Sequence, residues 1–221
     1  MARPQKASDE QIFAAAYRVM QRVPPPEFTL GAIAEEAGVT AGLLVQRFGS
    51  KRGLMVRLAE LSAGASVGFI EGLRERYASP LAVLRAYGDC MADLAVSPEA
   101  FSRNLAYLVD DLRDPELRGH LETQARRTRS AITKLLTDAV ARGELTKRTN
   151  PKQLARTVET IIGGSMLTWA TYREGTAVRW MRHDLDLVLA PFLTRKTERR
   201  ACRYPRLRNP VARAAASVER T

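Results

Sequence analysis

Apolar residues in this chain recur every three to four positions rather than every second one, the spacing of helices that pack on one face. Ile12, Ala16, Val19 and Met20 share one side of a first helix, and Ser8 followed by Gln11 has the spacing of a capping box at its start. That helix must stop at Val23, because Pro24, Pro25 and Pro26 cannot continue it. Four later starts repeat one signature, a capping side chain followed by proline: Ser79-Pro80, Ser97-Pro98, Asp114-Pro115 and Asn150-Pro151. The cap accepts a free N–H of the first turn, and proline at the first helical position lacks a donor that would have gone unused. Proline also drives the residue before it out of the α region, as a cap requires. No alternating β-branched run bounded by turn residues occurs, so the fold class is all-α.

The periodicity predicts short helices up to a break near residue 62 and then long ones over about 81–96, 98–112, 115–142, 151–173 and 177–192. The connections between the long helices are short, as between antiparallel neighbours in a bundle. Three regions are therefore expected: a small helical domain over 1–62, a larger one over 63–194 and a tail over 195–221. The tail, RKTERRACRYPRLRNPVARAAASVERT, has two prolines, few large apolar residues and no helical period, and reads as disordered.

Charge sharpens this division. The 221 residues carry 35 Lys plus Arg against 24 Asp plus Glu, a formal charge of +11. The three regions hold +2, +2 and +7, so the tail carries most of the excess. It either adds sequence-independent attraction to a phosphate backbone or is simply a solvated terminus. No apolar stretch reaches the length of a membrane helix, and MARPQKASDEQ lacks the apolar run of a signal peptide, so the expected address is the cytoplasm with no membrane partner. Two cysteines, Cys90 and Cys202, do not make a disulfide framework.

Catalytic signatures are missing where they would be looked for. His120 and His183 are the only histidines and lie outside any metal-ligand spacing, so neither metal nor cofactor is expected. Asp110-Asp111 reads as a solvated helix end, Cys90 has no base near it in the pattern, and no G-x-S-x-G, Walker loop or G-x-G-x-x-G occurs. An enzyme is not expected.

The informative stretch is TLGAIAEEAGVTAGLLVQRFGSK, residues 29–51. Thr29 caps a helix whose inner face is Leu30, Ile33, Ala34 and Ala37; Gly38 then turns the chain, and Thr40 caps a second helix with Leu43, Leu44 and Phe48 inward. Ala41, Gly42, Val45, Gln46 and Arg47 are left to point outward. Small Ala34, turning Gly38 and locking Leu44 have the spacing of a helix-turn-helix. Such a pair either packs as an ordinary helical hairpin or enters a DNA groove. A supporting helix before it and another starting at Ser50, with Lys51, Leu54, Leu58 and Leu61, favour the second reading.

In that context the segment resembles the DNA-binding domain of the tetracycline-repressor-like (TetR) transcriptional regulators, whose usual pattern is T-x-x-x-I-A-x-x-A-G-V-S-x-G-T-L-Y-x-Y-F-x-S-K. Thr29, Ile33, Ala34, Ala37, Gly38, Val39, Gly42, Leu44, Phe48, Ser50 and Lys51 keep register, with Thr40 in place of Ser. The resemblance in motif covers residues 8 to about 62 and is one of architecture beyond. It implies a DNA-facing set of Thr29, Leu30, Thr40, Ala41, Gly42, Val45, Gln46, Arg47 and Lys51. The departures fall on that face: Leu43, Val45 and Arg47 stand where the family usually has Thr and two aromatics. Arg47 suits a phosphate, the contact usual at the matching position, or a guanine edge; Gln46 suits adenine or a phosphate.

The resemblance further implies a homodimer on a palindromic operator, with the last two helices pairing across subunits. The stripes available for this are Leu154, Val158, Ile161 and Ile162 on one helix, and Val178, Met181, Leu185, Val188 and Phe192 on the other, with Gly163-Gly164 permitting close approach. It also implies an apolar or amphipathic small-molecule effector, of unknown identity, enclosed by some of Tyr87, Met91, Phe101, Tyr107, Leu108, Ile132, Leu135, Met166 and Trp169. The expected function is thus a ligand-responsive regulator, most simply a repressor. The alternative is a helical ligand-binding or catalytic protein whose first domain no longer reads DNA.

Overall fold

The computed structural model describes residues 7–197, with the side chains of 63–67 outside the description. Nine α-helices are described: α1 (Asp9–Arg22), α2 (Leu30–Ala37), α3 (Ala41–Phe48), α4 (Lys51–Arg76), α5 (Pro80–Asp93), α6 (Pro98–Arg113), α7 (Pro115–Ala141), α8 (Pro151–Tyr172) and α9 (Ala177–Leu189), followed by a 3-10 turn at Ala190–Phe192. Among the described residues no strand forms, and a single antiparallel bridge joins Leu145 to Leu193. The tail beyond Thr197, with Cys202, lies outside the described residues.

Of the expected caps, those at Ser8, Ser79, Asp114 and Asn150 are made. Ser8 and Gln11 make both bonds of a capping box. Ser79 accepts the Ala82 N–H, Asp114 accepts those of Glu116 and Leu117, and Asn150 accepts that of Gln153. Three expectations change. No break occurs at residue 62, because α4 runs on to Arg76 in a stretch without proline. The helix expected to reach residue 96 stops at Asp93, where Leu94 and Ala95 close it with tighter bonds. The last helix ends at Leu189, and Pro191 sits in the 3-10 turn that follows.

Contacts divide the chain into two compact units. One runs up to Ala65 and includes Glu99–Ala125; the other holds Ser66–Pro98 and the chain from Arg126 onward. The expected division at 62/63 therefore differs from the structure in where α6 and the first part of α7 belong, and Tyr107 shows why. Its ring meets Phe28 edge-on at 5.6 Å, its hydroxyl donates to the Val23 carbonyl at 2.9 Å, and it joins the core made by Ile12, Phe28, Ile33, Leu44 and Leu54. The proline run delivers Phe28 there: the Glu27 and Phe28 N–H groups both donate to Pro24 O, turning the chain inward.

In the second unit α9 lies against α5 and α8. Gly88 on α5 lets α9 approach so closely that a Cβ there would stand 2.5 Å from Leu185 Cδ1. Two ion pairs bind the same helices: Arg182 grips Asp89 through two bonds of 2.7 and 2.6 Å, and Arg85 reaches Asp186 at 2.8 Å. The turn between α8 and α9 places Arg173 and Gly175 in the left-handed region. The indole N–H groups of Trp169 and Trp180 donate to the Gly175 and Glu174 carbonyls of that turn.

Candidate nucleic-acid interface

The helix-turn-helix forms from local chemistry. Gly38 adopts φ 66°, which a residue without a side chain takes without strain, and the Val39 N–H returns to Ala34 O at 2.9 Å to close α2. Thr29 and Thr40 each accept one N–H of the first turn, from Ala32 and Leu43, so both helices open with a satisfied cap. Leu44 is fully buried against the core and fixes the roll of α3. Phe48 meets Phe13 at 5.7 Å and holds the far end of α3 on α1.

With the roll fixed, the outward face follows. Ala41, Gly42, Val45, Gln46 and Arg47 are all exposed, and Leu43 is half-buried at the margin. Gly42 and Gln46 are four residues apart and stand one above the other, opposite Leu44. Thr29 and Thr40 are exposed at the amino ends of α2 and α3, while Leu30 is half-buried, consistent with its place on the inner face. Gly31 and Gly42 occupy the same position two residues after each cap. A Cβ there would meet only the cap hydroxyl, at 3.7 and 4.0 Å, so the first turns are open to an approaching group.

The cations expected on this face have internal partners. Arg47 Nη1 donates to Ala7 O at 2.8 Å and to Asp9 Oδ1 at 3.1 Å, which ties α3 to the start of α1. Lys51 Nζ donates to Pro25 O at 2.6 Å and lies 5.5 Å from the centre of the Phe28 ring. Arg52 is held by Asp114 and Glu116. On the other side of α2, Glu36 receives Arg22 and Arg18, and these hydrogen bonds hold its carboxyl below the usual carboxylate range. Asp9 and Glu36 are partners that motif reasoning missed, since exposed charges distant in sequence carry no periodic signal.

The residues expected to enclose an effector divide between the two units. Tyr107 lies in the core of the first unit, where its ring and hydroxyl complete the packing around Phe28 and Val23. Phe101 is half-buried and Leu108 exposed on the same helix. Tyr87, Ile132, Leu135, Met166 and Trp169 are buried in the second unit, and Met91 is half-buried. Burial pushes the Tyr87 hydroxyl above its ordinary range, and a hydrogen bond with Thr128 works the other way. A cleft of about 600 Å³ opens beside the α8–α9 turn, lined by Glu174, Gly175, Arg179, Trp180, His183 and Asp184, none of which is in the expected set.

The stripes expected between subunits divide by burial. Leu154, Val158, Met181 and Leu185 are sealed inside the second unit, where α9 packs on α5 and α8. Ile161, Ile162, Val178, Val188 and Phe192 are half-buried, Phe192 beside the backbone pair that joins its carbonyl to the Thr146 N–H at 2.8 Å. One outward side of α8 carries Thr160, Gly163, Gly164, Leu167 and Thr171, all exposed. A Cβ on either of these glycines would meet nothing within 4 Å.

Among the described residues no group of His, Cys, Asp or Glu is placed to hold a metal ion, and no helix is long and apolar enough to cross a membrane. Cys90 is free and half-buried, and burial raises its thiol. Asp111 is pushed up to about 6, first by burial and then by Asp110 and Asp114.

A short helix locked by one leucine, turned by a left-handed glycine and offering small side chains outward defines a helix-turn-helix protein. Residues 12–58 match the family described as bacterial regulatory proteins, tetR family, and residues 82–185 match the tetracyclin repressor-like C-terminal domain. The chain belongs to the TetR family of bacterial transcription regulators. No curated protein sequence matches it. Among solved structures it is similar to a TetR transcription regulator from Haloarcula marismortui, with 16% identity over 84% of this chain and 98% of that one and a TM-score of 0.69. It is similar to SmeT, the repressor of the Stenotrophomonas maltophilia multidrug efflux pump SmeDEF, with 21% identity over 87% and 93% and a TM-score of 0.62. A protein from Saccharomonospora viridis solved in complex with choline is similar at 17% identity over 86% and 100%, with a TM-score of 0.70. At such identities the likeness is one of fold.

Proposed function

We propose that this regulator is a cytoplasmic repressor that grips a palindromic operator as a homodimer and lets go when a small apolar or amphipathic effector binds its second unit. The carrying observation is the face of α3: Ala41, Gly42, Val45 and Gln46 are exposed while Leu44 is sealed, so the helix offers low-profile side chains that a major groove can admit. Phosphates would be met by the first-turn N–H groups of α2 and α3, which have no carbonyl of their own helix to reach, with the open Gly31 and Gly42 positions giving room. Lys51 retains two N–H donors beyond its bond to Pro25 for the same purpose. The small-residue face of α8, centred on Gly164 and Leu167, supports close pairing with a second copy, which doubles the contacts on a two-fold site.

Release requires an effector that favours a spacing of the two reading helices unmatched to successive grooves, and a useful switch needs about 1–3 kcal/mol of coupling. The repressor and the choline-bound protein of like fold support this reading by analogy.

The test is a gel shift with duplexes taken from beside the protein's own gene, over a series of salt concentrations. A specific band that weakens linearly on a logarithmic salt scale is expected. The internal partners of Arg47 and Lys51 favour a second reading, a helical ligand-binding or catalytic protein that no longer reads DNA. Turnover of a small molecule with no specific band would establish that one.

A further inference from the structure

We infer that α3 reads A·T pairs, with the Gln46 carboxamide on an adenine edge and the Val45 methyls on a thymine methyl group, while Arg47 does not read guanine. This rests on the regulator reading above and adds to it the base chemistry of the half-site. Three observations carry it. First, the roll set by buried Leu44 puts Gln46 at the middle of the exposed face, directly above Gly42, where no side chain holds the helix away from the base edges. A carboxamide offers one donor and one acceptor side by side, the complement of adenine N7 and N6–H; guanine presents two acceptors and gives it nothing to accept from.

Second, Val45 stands beside Gln46 with half its surface exposed, 50%, an apolar group on an otherwise polar or small-residue face. In the major groove the apolar feature on offer is the thymine C5-methyl. Third, the guanidinium suited to guanine is engaged elsewhere. Arg47 braces α3 to Ala7 O and Asp9, and swinging it into the groove would break a charge-assisted bond and leave the Asp9 carboxylate unpaired near DNA. Lys51 and Arg52 are held by Pro25 O and by Asp114 with Glu116.

The experiment selects bound duplexes from a random pool with the full-length protein and then changes single atoms in the selected site. Replacing the conserved adenine by 7-deazaadenine, which lacks the N7 acceptor, should weaken wild-type binding on the order of tenfold and leave Gln46→Ala unaffected. Replacing thymine by uracil, which removes the C5-methyl, should cost about threefold to fourfold with wild type and nothing with Val45→Ala. Arg47→Ala should select the same bases as wild type. The inference is overturned if wild-type binding ignores both replacements, or if the half-site is dominated by a G·C pair whose preference vanishes in Arg47→Ala; either result leaves the regulator reading standing. A pool from which no site is enriched overturns both.

Discussion

The two units use apolar surface in opposite ways. In the first, helix α3 buries one side chain fully, Leu44, packs Phe48 on Phe13, and leaves Ala41, Gly42, Val45, Gln46 and Arg47 exposed. In the second, α9 buries four side chains, Ala177, Met181, Leu185 and Leu189, and keeps Val178 and Val188 half-buried and Leu187 exposed. The fully buried stripe of α9 thus packs inside its own unit, whereas α3 and α8 each keep a face exposed, the faces the proposed function assigns to partners. Length explains part of the contrast: eight residues make two turns, enough for one anchor, whereas a helix of 13 residues repeats its buried position four times.

The comparison is broken most directly by truncating the anchors. Leu185→Ala should lower the stability of the second unit by about 2–5 kcal/mol in chemical denaturation, and Leu44→Ala should do the same to the first, because each leaves a cavity in a closed core. Leu167→Ala, by contrast, should stay within about 0.5 kcal/mol of wild type in the same measurement while weakening self-association in sedimentation equilibrium. Equal losses for Leu167 and Leu185 would refute the division between sealed and offered faces.

A smaller effect tests the placement of α6 with the first unit. Tyr107→Phe keeps the ring on Phe28 but removes the hydroxyl that donates to Val23 O, and should cost about 1 kcal/mol, read in the unfolding of the first unit alone. A loss confined to the second unit would contradict it.

The pH dependence should separate two carboxylates of the same segment. Asp111 is raised to about 6 by burial and by Asp110 and Asp114, so its contribution is fully present below its unfolded value of about 3.9 and is lost as pH rises through 6. Asp111→Asn should therefore raise the melting temperature at pH 7 and leave it unchanged at pH 4. Asp114 is held at about 2 by its bond from Arg52, so its contribution is present above about 3.9 and fades as pH falls toward 2. Asp114→Asn should lower the melting temperature at pH 7. A small change, within about 1 kcal/mol, is expected for Arg47→Ala, since its pair with Asp9 is partly exposed to solvent.

Helix identity, the caps at Ser8, Ser79, Asp114 and Asn150, and the turn at Gly38 were all legible in the linear sequence, because each depends on side chains within four residues of the backbone they serve. So was the outward set Ala41, Gly42, Val45, Gln46 and Arg47, since one anchored leucine fixes the roll of a short helix. Periodicity could say that α8 and α9 have apolar stripes and could not say whose surface covers them: an intramolecular partner such as α5, with Gly88 cut to receive Leu185, presents the same pattern as a second subunit. The capture of Tyr107 by the first unit and the pairing of Arg47 with Asp9 were decided by tertiary structure alone. These join residues tens of positions apart, and a pair contact between distant side chains leaves no period in the chain for a local pattern to reveal.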